Sequence, residues 1–310
     1  MRRLPSPVLS LVLAAACWGV GTVVSKQALD EIAPVTLLVV QLTISVVFLA
    51  TMSTRSQRTR SAGCGRRQAM ALGLLNPGLS YALALVGLSS IAASTSVLIW
   101  ASEPALIVIL ALIILREKLT PRLWFAISLA LAGVLLVVYT GGFSGSPVGV
   151  VLTLGAVLAC AVYTILARIW AVDDAALSIT LNQQTAALVF ALVLVGSLAL
   201  LNPSHLTGPT AFSDILTRAW AAALISGLMY YALAFWFYLS ALRHVQASVA
   251  GSFLTLVPVF GVAAAMVTGE RLDVRQWIGA ALVVASVAVI ASASGQVRVV
   301  PVTAPEGSTR

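Results

Sequence analysis

A chain of 310 residues that is 60% hydrophobic and 9% charged, with a mean hydropathy of +1.03, falls outside the soluble globular class, which carries about a quarter of its residues as charges. Its formal net charge of +8 would suggest nucleic acid in a soluble protein; here the basic residues sit in loops between apolar runs, so they speak of membrane topology and nucleic acid is not an expected partner. Cys17, Cys64 and Cys160 lack C-x-x-C spacing and His205 and His244 lie far apart, which argues against a disulfide framework or zinc site; no metal or cofactor is expected.

A helical span needs about 20 predominantly apolar residues. The apolar runs place spans at 8–28, 34–52, 69–88, 93–115 and 121–140, then at 147–169, 175–200, 218–240, 247–267 and 274–293. Arg2 and Arg3 before the first run mimic a secretory signal, but the run continues to Leu29, too long for a signal's apolar core. It is therefore read as a true span. Thr120 and Pro121 predict a helix start, and Asp273 predicts the cap of the last helix. The Gly141–Pro147 stretch is a break that joins two halves, 1–142 and 143–297, with a disordered tail at 298–310.

With the N-terminus inside and sides alternating, all but four of the 18 Lys and Arg fall on the inner face; the four are Lys26, Arg218, Arg271 and Arg275. The positive-inside rule demands such a bias. It predicts a multi-pass protein of the plasma (bacterial inner) membrane with both termini cytoplasmic. The halves also resemble each other. Glu117, Leu119, Arg122 and Trp124 recur as Glu270, Leu272, Arg275 and Trp277. Thr22, Lys26 and Gln41 recur as Thr164, Arg168 and Gln183, and Tyr81-Ala-Leu-Ala recurs from Tyr231. Five spans per half is an odd number, so the second copy enters the membrane inverted, as in many carriers. The expected fold is an all-α polytopic membrane protein of ten transmembrane helices in two inverted five-helix repeats.

These features resemble the drug/metabolite transporter superfamily, specifically its EamA-type carriers, over about residues 8–293. The resemblance rests on Ala-Cys-Trp18-Gly in the first span, Lys26 closing that span, Pro104 with Glu117, Pro258 with Glu270, and the Gly269-Glu270-Arg-Leu turn before the last span. The chain departs from the family pattern at Arg116, where Gly is usual, and at Cys160, where Trp is often seen. The resemblance implies movement of small metabolites, often amino acids, without ATP.

Ionisable groups inside a span are costly and mark function by default. Glu103 sits between Trp100 and Pro104. It is either a proton-coupling or amine-binding carboxylate, or a carboxyl tied to the helix break at Pro104. Ser96, Trp100 and Glu103 share one helix face. Asn76-Pro77-Gly78 interrupts span three, and broken helices often line transporter sites. Span seven carries Ser178, Asn182 and Thr185 on one face, with Gln183 beside them; span nine carries Ser248, Ser252 and Thr255. Interhelical hydrogen bonding or close packing explains both stripes equally well. Tyr230 and Tyr231 lie mid-span, where an interfacial belt does not explain them. Lys26 is read as snorkelling to the interface or holding a carboxylate, and Glu117 and Glu270 as structural or gating ion pairs with their basic neighbours.

The expected substrate-binding set is Trp18, Asn76, Tyr81, Trp100, Glu103, Asn182, Tyr230 and Tyr231, with Pro77, Pro104 and Pro258 as hinges. The expected partners are a small-molecule substrate and the lipid bilayer, with a monomer the simplest assembly. The expected function is secondary active or facilitative transport, most simply export, of small amphipathic metabolites such as amino acids by alternating access. No P-loop is present, so the chain is not its own ATP motor, and no catalytic residues are expected. Two other classes compete: a rhomboid-like intramembrane enzyme, imitated by Gly142-Phe143-Ser144-Gly145, and a channel.

Overall fold

A computed structural model describes residues 6–55, 65–114, 121–140, 146–170, 176–201, 217–242, 253–254 and 256–294. Among these every regular element is helical. The first half gives α1 (Pro7–Leu29), α2 (Pro34–Arg55), α3 (Gly65–Gly73), α4 (Ser80–Ser89), α5 (Ala93–Trp100), α6 (Glu103–Ile114) and α7 (Pro121–Thr140). The second gives α8 (Pro147–Trp170), α9 (Ala176–Leu201), α10 (Thr217–Ser226), α11 (Ala234–Leu242), α12 (Leu256–Val267) and α13 (Val274–Ser294). A π-helical turn, Leu74–Leu79, joins α3 to α4, and another, Gly227–Leu233, joins α10 to α11.

Among the described residues, six stretches are long and apolar enough to cross a membrane: Pro7–Leu29, Pro34–Ser53, Arg67–Ser89, Pro147–Ala167, Leu177–Leu201 and Thr217–Ala241. Shorter apolar helices accompany them. The distribution of side chains is the reverse of a soluble domain's. Leu200, Leu201 and Val267 are more than 80% exposed, while Gln41, Gln184 and Ser45 are fully buried. Water would penalise that arrangement, whereas hydrocarbon accepts the apolar rim and drives polar groups inward.

Local chemistry sets the ends. Pro7 and Pro121 start their helices, where the missing N–H costs nothing. Ser6 caps α1 through Oγ, which accepts from Leu9 N at 3.4 Å. The predicted cap of the last helix forms: Asp273 Oδ1 accepts from Val274 N at 2.7 Å, and Gln276 Oε1 accepts in return from Asp273 N at 2.9 Å. α12 ends in a Schellman turn, with Gly269 at φ +99°, Gly269 N on Met266 O and Glu270 N on Ala265 O.

The helices pack in exchanged pairs. α1 lies against α10 and α11 and against α12; α8 lies against α4 and against α5 and α6. α2 meets α9, and α7 meets α13. Glycines set the closest approaches: a Cβ on Gly19 would come within 2.5 Å of Val257 O, and one on Gly133 within 2.8 Å of Gly279 O. The largest core cluster lies where α2, α4, α9 and the 227–235 stretch converge, around Leu37, Leu42, Tyr81, Tyr231 and Phe235.

Span four is interrupted where the chain turns at Ala101 and Ser102 between α5 and α6, with Ser102 Oγ donating to Ile99 O at 2.7 Å. The three prolines stand in different settings. Pro77 stands at a true interruption, since Asn76 before it is extended at φ −142°, ψ 118°, as the ring of a following proline requires. Pro104 and Pro258 stand in the first turns of α6 and α12, where a helix tolerates proline. Residues Arg116, Glu117, Lys118, Thr120, Ser144, His205, His244, Ser248, Ser252 and Thr255 lie outside the described residues, as do the 141–145 break, Cys64 and the 298–310 tail.

Candidate functional site

The centre of the bundle is a chain of aromatic rings. Tyr81 of α4 meets Trp100 of α5 edge-on at 6.1 Å, Tyr230 at 5.1 Å and Tyr231 at 5.1 Å. The chain continues through Phe235 to Trp18 of α1, which also meets Tyr238 at 5.4 Å. Such tilted contacts suit ring quadrupoles and fix each ring's direction. Thr22, Ser25, Tyr81, Ser96, Trp100, Tyr230 and Tyr231 border a cavity of about 10 Å³, with leucine and alanine side chains between them. That is room for roughly one water.

Two polar clusters flank the rings. In one, Gln41 Nε2 donates to Ser25 Oγ at 2.9 Å and to Ser226 Oγ at 2.6 Å, tying α2 to α1 and α10. The other surrounds Glu103. The Cys160 thiol is in reach to donate to its carboxylate, and Asn76 Nδ2 donates to Cys160 Sγ at 3.4 Å. Glu103 keeps part of its surface accessible although protein surrounds it, and it is not among the residues that border the cavity. Tyr163 pairs with Gln183 at 3.1 Å.

The helix interruptions aim these groups. Asn76 leaves the helical path, and its side chain turns to α8. Ser80 Oγ holds the resumed helix there by donating to Ala156 O at 2.9 Å. In the other π-helical turn, Gln184 Nε2 donates to Tyr231 O at 3.2 Å, satisfying a carbonyl released from the helix ladder. Several buried polar atoms keep no partner among the described residues, including Trp18 Nε1, Asn76 Oδ1, Gln41 Oε1 and Tyr231 Oη.

Of the eight residues proposed from sequence, Tyr81, Trp100, Tyr230 and Tyr231 border the cavity. Trp18 stands one ring away, and Asn76 and Glu103 meet through Cys160. Asn182 is half-buried and does not line the cavity; its neighbours Gln183 and Gln184 turn inward instead. Sequence reading passed over Ser25, Gln41, Tyr163, Gln184 and Ser226. The recurrence of Gln41 as Gln183 was the available signal for one of them.

Lys26 and Glu270 take roles other than those expected. Lys26 Nζ donates to Leu88 O at 2.8 Å and Ser89 O at 3.1 Å, closing the C-terminus of α4. Both Glu270 oxygens accept from backbone N–H groups, of Ala93 at 2.9 Å and of Ser94 at 3.0 Å. Ala92, which precedes α5, has no side-chain acceptor to cap it. Glu270 therefore supplies that cap from a distant part of the chain, where the helix dipole favours a carboxylate.

Comparisons with known proteins bear on the family and the fold. The chain is 29% identical over 225 residues to the uncharacterized transporter YyaM of Bacillus subtilis, covering 70% of each. It is 27% identical over 209 residues to the uncharacterized transporter YetK of the same organism, covering 66% of this chain and 61% of the relative. A protein crystal structure matches the fold with a TM-score of 0.62 and 18% identity, over 95% of this chain and all of the other. The EamA-like transporter family matches residues 5–139 and again 147–292; the chain belongs to that family and is a multi-pass membrane transporter.

Proposed function

We propose that the protein is a secondary active or facilitative carrier that exports small amphipathic metabolites, such as amino acids or their analogues, across the plasma membrane. Ten spans in two inverted five-helix halves, 1–142 and 143–297, rock about a central site, with both termini in the cytoplasm. The observation that carries this reading is the small central cavity whose rings come from both halves, Tyr81 and Trp100 from one and Tyr230 and Tyr231 from the other. A site bordered by both halves opens to one side only when they part. The exchanged helix pairing supports the inversion: α1 with α10–α12 mirrors α8 with α4–α6, and α2 with α9 and α7 with α13 pair like with like. Each half also carries one π-helical turn before a cavity tyrosine or at one, ahead of Tyr81 and at Tyr230 and Tyr231.

The binding set is Trp18, Asn76, Tyr81, Trp100, Glu103, Tyr230 and Tyr231, with Asn182 at its margin. Helix bending centres on Pro77 and on the helix starts at Pro104 and Pro258. Reconstitution in liposomes, with uptake of labelled amino acids measured with and without a pH gradient, tests the proposal. Saturable flux is expected for a subset; linear, non-saturating flux would indicate a channel instead. Proteolysis lost on Ser144→Ala would revive the enzyme reading.

A further inference from the structure

We infer that Lys26 and Glu270 are gating residues: together they latch the turn between α4 and α5 over one end of the central cavity, and the cavity opens at that end when they let go. The inference rests on the carrier reading and names the contacts that its cycle must break.

The cavity reaches this turn. Its border takes Thr22 and Ser25 from the later turns of α1, Leu85 and Leu88 from the end of α4, and Ser96 from the first turn of α5. Leu88 borders the cavity and also offers its carbonyl oxygen to Lys26 Nζ at 2.8 Å. At the same end, Val23, Leu88, Ala93 and Ala265 form a small apolar cluster. In the topology expected from sequence, Lys26, the turn and Glu270 all stand at the outer face.

The polar contacts of the latch run between the two exchanged bundles. α1 packs with α10–α12, and α8 packs with α4–α6. The turn belongs to the second of these: Ser146 N, before α8, donates to Ser90 O at 3.0 Å, and a Cβ on Gly87 would come within 2.8 Å of Gly149 O. Lys26 and Glu270 belong to the first, on α1 and just past α12. Lys26 donates to Leu88 O and Ser89 O, and Glu270 accepts from Ala93 N and Ser94 N.

The chemistry suits a contact that breaks and re-forms. The ammonium meets the negative end of α4 and the carboxylate the positive end of α5, so each charge has its own seat. Terminal backbone groups are satisfied by water as well as by side chains. Lys26 and Glu270 are half-buried and Ser89 is exposed, so water can replace the latch as the bundles part. The bonds of Gln41, by contrast, lie in the dry interior.

Alkylation tests the inference. Ser96 is 1% exposed and borders the cavity. A Ser96→Cys variant of the full-length protein in detergent is treated with a polar maleimide, and modification at position 96 is followed by peptide mass spectrometry. Adding Glu270→Ala or Lys26→Met is expected to raise the rate at least about fivefold. Adding Gly133→Leu, which loosens the seam of α7 with α13, should leave the rate within about twofold. If Glu270→Ala does not fold, Glu270→Gln, which keeps one acceptor, replaces it. An unchanged rate in either folded latch variant, or an equal rise with Gly133→Leu, would overturn the inference.

Bridging provides a second readout. A Ser94→Cys, Glu270→Cys variant in liposomes is joined by a short reducible thiol linker and compared with the unaltered protein given the same linker. Flux should fall at least about tenfold on bridging and return on reduction. Flux that continues undiminished through the bridge keeps the carrier and removes the latch. Absence of flux before bridging counts against the carrier reading, and the alkylation rates then decide the latch alone.

Discussion

Glu103 and Gln41 show how much a single polar side chain decides inside a bundle. Glu103 lies inside the protein beside the Cys160 thiol, and a carboxyl within a span can serve either as a proton carrier or as the partner of a substrate amine. Glu103→Gln removes both options without changing size. Flux in liposomes should fall at least about tenfold, which is roughly 1.4 kcal/mol, and its response to a pH gradient should flatten. Normal flux with an unchanged pH profile would exclude both roles. Gln41 is fully buried and its amide joins two hydroxyls from other helices. Gln41→Ala removes the shared donor to both hydroxyls, although Ser226 Oγ keeps its bond to Ala223 O, and leaves a void, so thermal unfolding in detergent should report a loss of about 1–2 kcal/mol. A shift near zero would mean that Ser25 and Ser226 find new partners.

At the scale of the element, the helix ends and interruptions carry the information. α5 is only eight residues long and begins without a cap of its own. Glu270 supplies one from beyond α12, at a point fixed by the Schellman turn at Gly269. Glu270→Ala should therefore lower stability by about 0.5–2 kcal/mol, read as a lower midpoint of thermal unfolding. Neutralising Arg271 or Arg275 should shift that midpoint far less. Equal effects from all three would restore the ion-pair reading. The Asn76-Pro77 interruption was legible as a break, because proline restricts the residue before it. That the break swings Asn76 onto Cys160 of α8 was not legible, because it depends on which helix lies alongside.

For the whole molecule, close glycine contacts distinguish the seams. Gly19 lies against α12 beside the aromatic site, whereas Gly133 lies against Gly279 and Val283 of α13. Gly133→Leu should destabilise the protein while leaving the half-saturating substrate concentration in the liposome assay within about threefold, because α7 and α13 contribute nothing to the cavity lining. Gly19→Leu should suppress flux in protein that still folds, since α1 carries Trp18, Thr22 and Ser25 and can no longer seat on α12. Parallel loss of stability and flux in both variants would count against separate roles for the two seams.

Composition and the length of the apolar runs determined that this chain lives in lipid, because neither term depends on how the helices meet. The recurrence of Glu117 to Trp124 as Glu270 to Trp277, with the recurring Tyr81 and Tyr231, made a twofold architecture readable. Aromatic residues mid-span were visible for the same reason: position along a run says what cannot be an interfacial belt. Tertiary structure decided which helices pair, and with that the partners of every polar group. Lys26 caps α4, Glu270 caps α5, Gln184 takes the carbonyl of Tyr231, and Cys160 stands between Asn76 and Glu103. Each of these contacts joins residues at least 47 apart in sequence, and the pattern of a single apolar helix is compatible with several neighbours. Only packing selects one of them.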